Sequence, residues 1–206
     1  MPLKIVIVDY GMGNIQSVFR KLSLLGITPI VSKNPNEVKT ADKLILPGVG
    51  HFANAILNLK SLGLFDTLNE KVLISKTPIL GICLGMQLMA KNSEEGNCQG
   101  FGWVNAEVKR FNVNDILNFK VPHIGWNQIK IKKSSKLMQG INNLSDFYFI
   151  HSYICECEDD IDVLNISEHE SPFVSAFEKK NIYGVQYHPE KSFDAGRTLL
   201  NNFMQL

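Results

Sequence analysis

Along the first hundred residues, unbroken apolar runs alternate with runs of helical period. Residues 4–9 form a continuous apolar stretch up to Asp9, the pattern of a strand covered on both faces. Gly11-Met12-Gly13-Asn14 turns the chain, and residues 15–25 place Val18, Leu22 and Leu25 at helical spacing. Short strands are predicted at 28–31 and 43–46, the second ended by Pro47-Gly48. Residues 52–59 and 64–75 read as helices, and 78–82 as a fourth strand. Beyond Cys83 a helical apolar pattern continues through Leu84, Leu88 and Met89. Alternation of this kind predicts a mostly parallel sheet with helices on both faces.

From Gly102 onward the texture changes. Residues 104–111, 127–131, 147–153, 163–167, 174–177 and 182–187 read as strands separated by short turns. Residues 194–206 form a closing helix. No stretch rich in proline, glycine or serine marks a linker, and no repeat is present. One α/β domain over residues 1–206, with an antiparallel extension of its sheet, is the economical expectation.

Composition narrows the function classes. Apolar residues at 45% and charged residues at 20% exclude a disordered chain. Twenty-one basic against twenty acidic side chains leave +1, so neither nucleic acid nor an anionic membrane is an expected partner. The longest uncharged run, 44–59, contains Pro47, Gly48, Gly50, His51 and two asparagines, and cannot span a bilayer. One lysine and a short apolar run before Asp9 do not make a signal peptide. Four cysteines, at 83, 98, 155 and 157, form neither a Cys-x-x-Cys pair nor a disulfide framework, which points to a reducing, cytoplasmic setting. His51, His123, His151 and His169 have no metal-ligand spacing, and Cys155 with Cys157 on one strand face lacks further ligands. These are read as structural or surface residues, and no metal is expected. The Gly11-Met12-Gly13 turn invites a dinucleotide, but Gln16 stands where the third glycine would be, so no cofactor is expected.

The chemistry centres on Gly81-Ile82-Cys83-Leu84-Gly85, a Gly-x-Cys-x-Gly turn between a predicted strand and a predicted helix. It has the form of a nucleophile elbow with cysteine at its tip. So sharp a turn leaves room only for glycine two residues either side of the nucleophile. A helix starting there would aim free N–H groups and its positive dipole end at the sulfur, favouring thiolate. The Leu84 N–H would stabilise an oxyanion. The pattern alone fits a buried structural cysteine equally well. A nucleophile needs a base, and the base an orienting group. Tyr187-His188-Pro189-Glu190 supplies both; in extended chain His188 and Glu190 share a face. A second oxyanion donor is expected from Pro47-Gly48-Val49-Gly50, where glycine lets a peptide plane turn. A binding module with an inert or redox-sensing Cys83 would need neither His188 nor Glu190.

Gly81-Ile82-Cys83-Leu84-Gly85-Met86-Gln87 together with Tyr183-Gly184-Val185-Gln186-Tyr187-His188-Pro189-Glu190 resembles the triad, or class I, glutamine amidotransferases. Pro47 to Gly50, Val121-Pro122-His123-Ile124-Gly125-Trp126-Asn127, Tyr148-Phe149-Ile150-His151-Ser152-Tyr153 and Lys191-Ser192 narrow the likeness to the glutaminase subunits of imidazole glycerol phosphate synthase. That resemblance implies a flavodoxin-like α/β glutaminase docked as a heterodimer on a (β/α)₈-barrel cyclase. Ammonia from glutamine would pass through the barrel to a ribonucleotide, giving imidazole glycerol phosphate and aminoimidazole-carboxamide ribonucleotide in histidine biosynthesis. It also implies Cys83 as nucleophile, His188 as general base and acid, and Glu190 as its orienter. Gly48, Val49, Gly50 and Leu84 would frame the oxyanion, and Gln87, Ser152, Tyr153 and the Gly50 backbone would hold glutamine. Tyr10, Asn14 and Trp126 would lie at the cyclase interface. Gly102-Trp103-Val104 departs from the more proline-like turn expected there. A paralogous subunit, serving a cyclase-like partner that amidates a bacterial surface sugar, carries the same local chemistry and is the alternative.

Overall fold

A strand sandwiched between helices must be apolar on both faces, and the first strand meets that demand. In the computed structural model, which describes residues 3–206, β1 (Ile5–Val8) is buried at all four positions. Residues 1 and 2 of the expected domain lie outside the described residues. The chain continues through α1 (Ile15–Ser23), β2 (Ile30–Ser32), α2 (Pro35–Lys39), β3 (Lys43–Gly48), α3 (Phe52–Ser61) and α4 (Leu64–Asn69). The helix predicted over 64–75 does not stay α-helical: Glu70–Ile74 closes it as a π turn. Next come β4 (Ile79–Cys83), the one-turn α5 (Leu84–Gln87), and the two-residue strands β5 (Asn92–Ser93) and β6 (Cys98–Gln99). The second half supplies β7 (Ala106–Arg110), β8 (His123–Gln128), β9 (Lys130–Ile131), β10 (Asp146–His151), β11 (Tyr153–Cys157), β12 (Val163–His169), β13 (Ser171–Lys179), β14 (Ile182–Val185) and α6 (Phe193–Gln205).

Among the described residues a twelve-stranded sheet runs β2-β1-β3-β4-β14-β13-β11-β7-β5-β6, with β12 and β9 attached beside β13. The first five strands are parallel neighbours in the flavodoxin-like order, with β14 taking the fifth place although it comes last in sequence. The β13, β11 and β7 ladders are antiparallel, which is the expected extension. Alternate residues of a strand face opposite sides, and the core divides accordingly. Val6, Val8, Leu44 and Leu46 pack into one apolar cluster; Ile5, Ile7 and Ile45 pack into the other. The predicted strand over 147–153 breaks at Ser152. Its first part, β10, pairs only with β8 in a separate two-stranded ribbon, and its second part, β11, joins the main sheet.

Lys43 shows how polar chemistry closes the fold. It is 3% exposed, and its Nζ donates to the carbonyl oxygens of Phe203, Met204 and Leu206 at 2.9, 3.0 and 2.7 Å. These are carbonyls at the end of α6, which the helix itself leaves without partners. Burial pushes the Lys43 pKa down, against which the three hydrogen bonds hold the ammonium. The Gly102 turn is fixed by aromatics: Trp103 stacks on Phe101 at 4.1 Å, and its indole N–H donates to Asn69 Oδ1 at 2.7 Å.

Candidate active site

Three neighbouring parallel strands, β3, β4 and β14, end at the same edge, and the functional residues lie at those ends. Gly48 is in register with Cys83, and Gly184 with Gly81. This is the crevice outside the carboxyl ends of a doubly wound sheet, where ligands bind in such folds. Cys83 sits at φ 54° and ψ −110°, a strained backbone for a residue with a side chain. A Cβ on Gly81 would lie 2.6 Å from the Gly85 carbonyl oxygen, and one on Gly85 would strike the Leu46 carbonyl of β3. The elbow therefore needs its flanking glycines for the reason the sequence suggested. The helix after it is shorter than expected. With four residues, α5 sums few peptide dipoles, so the dipole effect expected at the sulfur is weak.

His188 and Glu190 are joined, but not by the expected geometry. The strand over 182–187 stops at Val185, and Pro189–Lys191 forms a 3₁₀ turn. That turn folds Glu190 back so that its Oε1 accepts from His188 Nδ1 at 2.7 Å, both side chains being 1% exposed. Among the described residues His188 Nε2 has no hydrogen-bond partner of good geometry. Burial pushes the His188 pKa down, but the neighbouring Cys83 sulfur and the hydrogen-bonded Glu190 carboxylate outweigh it and lift the value to about 9. Glu190 thus takes Nδ1 and leaves Nε2 as the nitrogen open to proton transfer. Around the sulfur, Gln186 Nε2 donates at 3.6 Å and the Ile150 carbonyl oxygen lies at 3.7 Å.

The sulfur opens on a cavity of about 310 Å³. Val49, Gly50, Leu84, Gln87, Ser152 and Tyr153 line it. Gly48 stands just behind, at the end of β3, where a Cβ would lie 2.8 Å from the Leu84 Cβ. Gly50 has φ +113°, a conformation open to glycine. Sequence reasoning missed Glu95, the acidic member of the lining, whose Oε2 accepts from the Phe52 N–H at 2.7 Å. It also missed His151. Burial holds the His151 pKa down at about 3, and His123 at about 4, where the two rings pack with His169 and Phe173. Gln186 carried a readable signal, an amide inside an otherwise apolar strand end.

The expected interface residues divide. Trp126 is 46% exposed and stacks on the still more exposed Phe193 at 5.0 Å and 4°. Asn14 is half-buried at the start of α1. Tyr10 is corrected: it is 1% exposed, with its ring in the core and its hydroxyl without a partner among the described residues, so its side chain reaches no surface. The exposed Trp126 belongs to the β8–β10 ribbon, which grips the histidine through its backbone. The His188 N–H donates to the Tyr148 carbonyl at 2.8 Å. The Tyr148 N–H donates to Ser192 Oγ at 3.0 Å, and that hydroxyl donates to the His188 carbonyl at 2.6 Å.

The sequence matches the family model described as Glutamine amidotransferase class-I over residues 6–206. It is 47% identical to "Imidazole glycerol phosphate synthase subunit HisH 2" of Methanococcus maripaludis, covering 98% of each chain. It is 46% identical to "Imidazole glycerol phosphate synthase subunit HisH 1" of Campylobacter jejuni, covering 98% of this chain and all of the other. Both names carry a copy number. Among solved structures, a glutamine amidotransferase from Thermotoga maritima superposes with a TM-score of 0.69 at 17% identity, covering 100% of this chain and 97% of that one, which speaks for the fold alone. The chain belongs to the class I glutamine amidotransferases, among the HisH subunits of imidazole glycerol phosphate synthase.

Proposed function

We propose that this chain is a single glutaminase domain that hydrolyses glutamine and hands the ammonia to a (β/α)₈-barrel cyclase in histidine biosynthesis. One observation carries the reading: a cysteine on a glycine-flanked, strained elbow beside a buried histidine–glutamate pair joined at 2.7 Å. In the reaction, the Cys83 thiolate attacks the side-chain carboxamide carbon, and the Leu84 N–H with an N–H of the 48–50 loop receives the oxyanion. His188 gives its proton to the departing nitrogen, and ammonia leaves a thioester. His188 then takes a proton from water, whose oxygen attacks the thioester to release glutamate and the thiolate. Glu190 keeps the imidazole oriented and stabilises its charged form. Gln87, Ser152, Tyr153 and the Gly50 backbone hold the glutamine backbone, with Glu95 as acceptor for its ammonium.

Ammonia released into bulk water becomes ammonium and loses its nucleophilicity, which is a physical reason for a docked acceptor. The exposed stack of Trp126 on Phe193, flanked by Ile124 and Ile150, supports docking on the ribbon face. Four unpaired cysteines agree with a reducing, cytoplasmic setting, and no helix among the described residues is long and apolar enough to cross a membrane. The test is steady-state glutamate release by the chain alone, with a barrel cyclase, and with cyclase plus its ribonucleotide. The expected order is low, higher, highest; full activity of the isolated chain refutes control by the partner. A second reading, the paralogue serving a sugar-amidating partner, is favoured by the copy numbers in the relatives' names. It predicts stimulation by a cyclase-like partner that forms no imidazole product.

A further inference from the structure

We propose that Gln186 is a working part of the nucleophile: its amide N–H holds the Cys83 sulfur, and Gln87 fixes the orientation of that amide from the pocket wall. This rests on Cys83 being the nucleophile, as argued above. Gln186 is fully buried, and both ends of its amide are occupied. Its Nε2 donates to Cys83 Sγ at 3.6 Å, and its Oε1 accepts from Gln87 Nε2 at 3.0 Å. Gln87 Nε2 also donates to the Tyr153 carbonyl oxygen at 2.9 Å.

The polarity of this relay follows from its far end. A backbone carbonyl can only accept, so Gln87 must turn its NH₂ toward Tyr153. The second hydrogen of that same nitrogen then points at Gln186, which must answer with its oxygen. Gln186 is left with only one group to present to the sulfur, its NH₂. An amide that could flip would offer the sulfur an oxygen as readily as a donor. Anchoring it two residues away to a main-chain carbonyl removes that freedom. The backbone of Gln186 is pinned as well, since its N–H donates to the Ser175 carbonyl at 2.9 Å.

The consequence is chemical. A donor aimed at the sulfur favours thiolate over thiol, because a hydrogen bond to a charged group is stronger than one to a neutral group. The other ionisable groups facing Cys83 or sharing its cavity are His188, with Glu190 behind it, Tyr10, Cys155, His151, Glu95 and Tyr153. Burial pushes both Tyr10 and Cys155 up, so they stay neutral through the range in which Cys83 reacts. Neither His188 nor Glu190 hydrogen-bonds to Gln186, so their own contacts stay in place when it is changed. A shift in the reactivity of the sulfur on altering Gln186 therefore reports the amide.

The experiment is the pH profile, from pH 5 to 10, of Cys83 alkylation by iodoacetamide in the full chain, read by mass spectrometry of the peptide containing residue 83. It needs no partner and no turnover. Gln186→Glu still accepts from Gln87 but turns an oxygen to the sulfur; Gln186→Met keeps the volume and removes the donor. For both, we expect alkylation near neutral pH to slow by about ten- to hundredfold, with the midpoint moved up by about one to two pH units. Gln87→Leu frees the Gln186 amide without touching the sulfur, and should move the midpoint in the same direction by less. That variant carries the test if the Gln186 variants do not fold. A parental profile in a folded Gln186→Met or in Gln87→Leu overturns the proposal. Failure of the underlying reading shows elsewhere, as glutaminase activity retained in Cys83→Ala.

Discussion

Replacing Glu190 by glutamine keeps the side-chain shape and removes its charge, and the structure says how stability should respond to pH. His188 is raised from 6.5 to about 9; burial opposes the rise, and the neighbouring Cys83 and the hydrogen-bonded Glu190 overcome it. At about 1.36 kcal/mol per pH unit, that rise is worth roughly 3 kcal/mol of folding free energy. The sign follows from proton binding. Between pH 6.5 and 9 the folded chain holds a proton at His188 that the unfolded chain has released, so stability falls as pH rises. The contribution is complete below about 6.5 and gone above about 9. Glu190 is one of two groups that raise the value, so Glu190→Gln should lose roughly half of it, about 1 to 2 kcal/mol at pH 6.5, and the deficit should close toward pH 9.5. Urea unfolding of both proteins at four pH values between 6.5 and 9.5 measures the difference directly. Cys83→Ala, which removes the other partner, should show the same convergence. Parallel curves for Glu190→Gln and the parent across this range would refute the account of how His188 is held charged.

Other consequences can be checked on single variants. Cys83→Ala should abolish glutamate release by the partnered complex while circular dichroism stays native, whereas Cys98→Ala and Cys157→Ala should keep the parental rate. In the glutaminase assay Glu190→Gln should lose about 10³–10⁴ in turnover, less than His188→Ala, since the orienter of a triad costs less than its base. Gly50→Pro imposes φ near −65° where the chain has +113° and removes an N–H, so activity should stay low alone, with partner, and with partner plus ribonucleotide. Lys43→Met should strip three carbonyls at the end of α6 of their donor, costing about 1–3 kcal/mol by urea unfolding and raising hydrogen exchange in residues 203–206.

Features written into a few consecutive residues were legible, and features that depend on a distant partner were not. The elbow could be read because positive φ and absent Cβ atoms are local demands: Cys83 at φ 54° between Gly81 and Gly85 answers them within five residues. The inner strands could be read because burial on both faces needs an unbroken apolar run. Local periodicity says nothing of which neighbour a strand takes. Residues 147–153 carry one continuous strand pattern, yet Phe147 pairs with Asn127 in the ribbon and Tyr153 with Arg110 in the main sheet. Nor does spacing alone determine how His188 meets Glu190, because a 3₁₀ turn and an extended segment can both bring positions two apart together. Tyr10 failed for a related reason: a residue at a strand end is core or surface according to what covers it, and here Gly48 and the elbow do. The same logic hid Gln186. In an apolar strand end an amide looks like an exception, and it becomes intelligible once β4 and β14, nearly a hundred residues apart, bring Gln87 and Cys83 to either end of it.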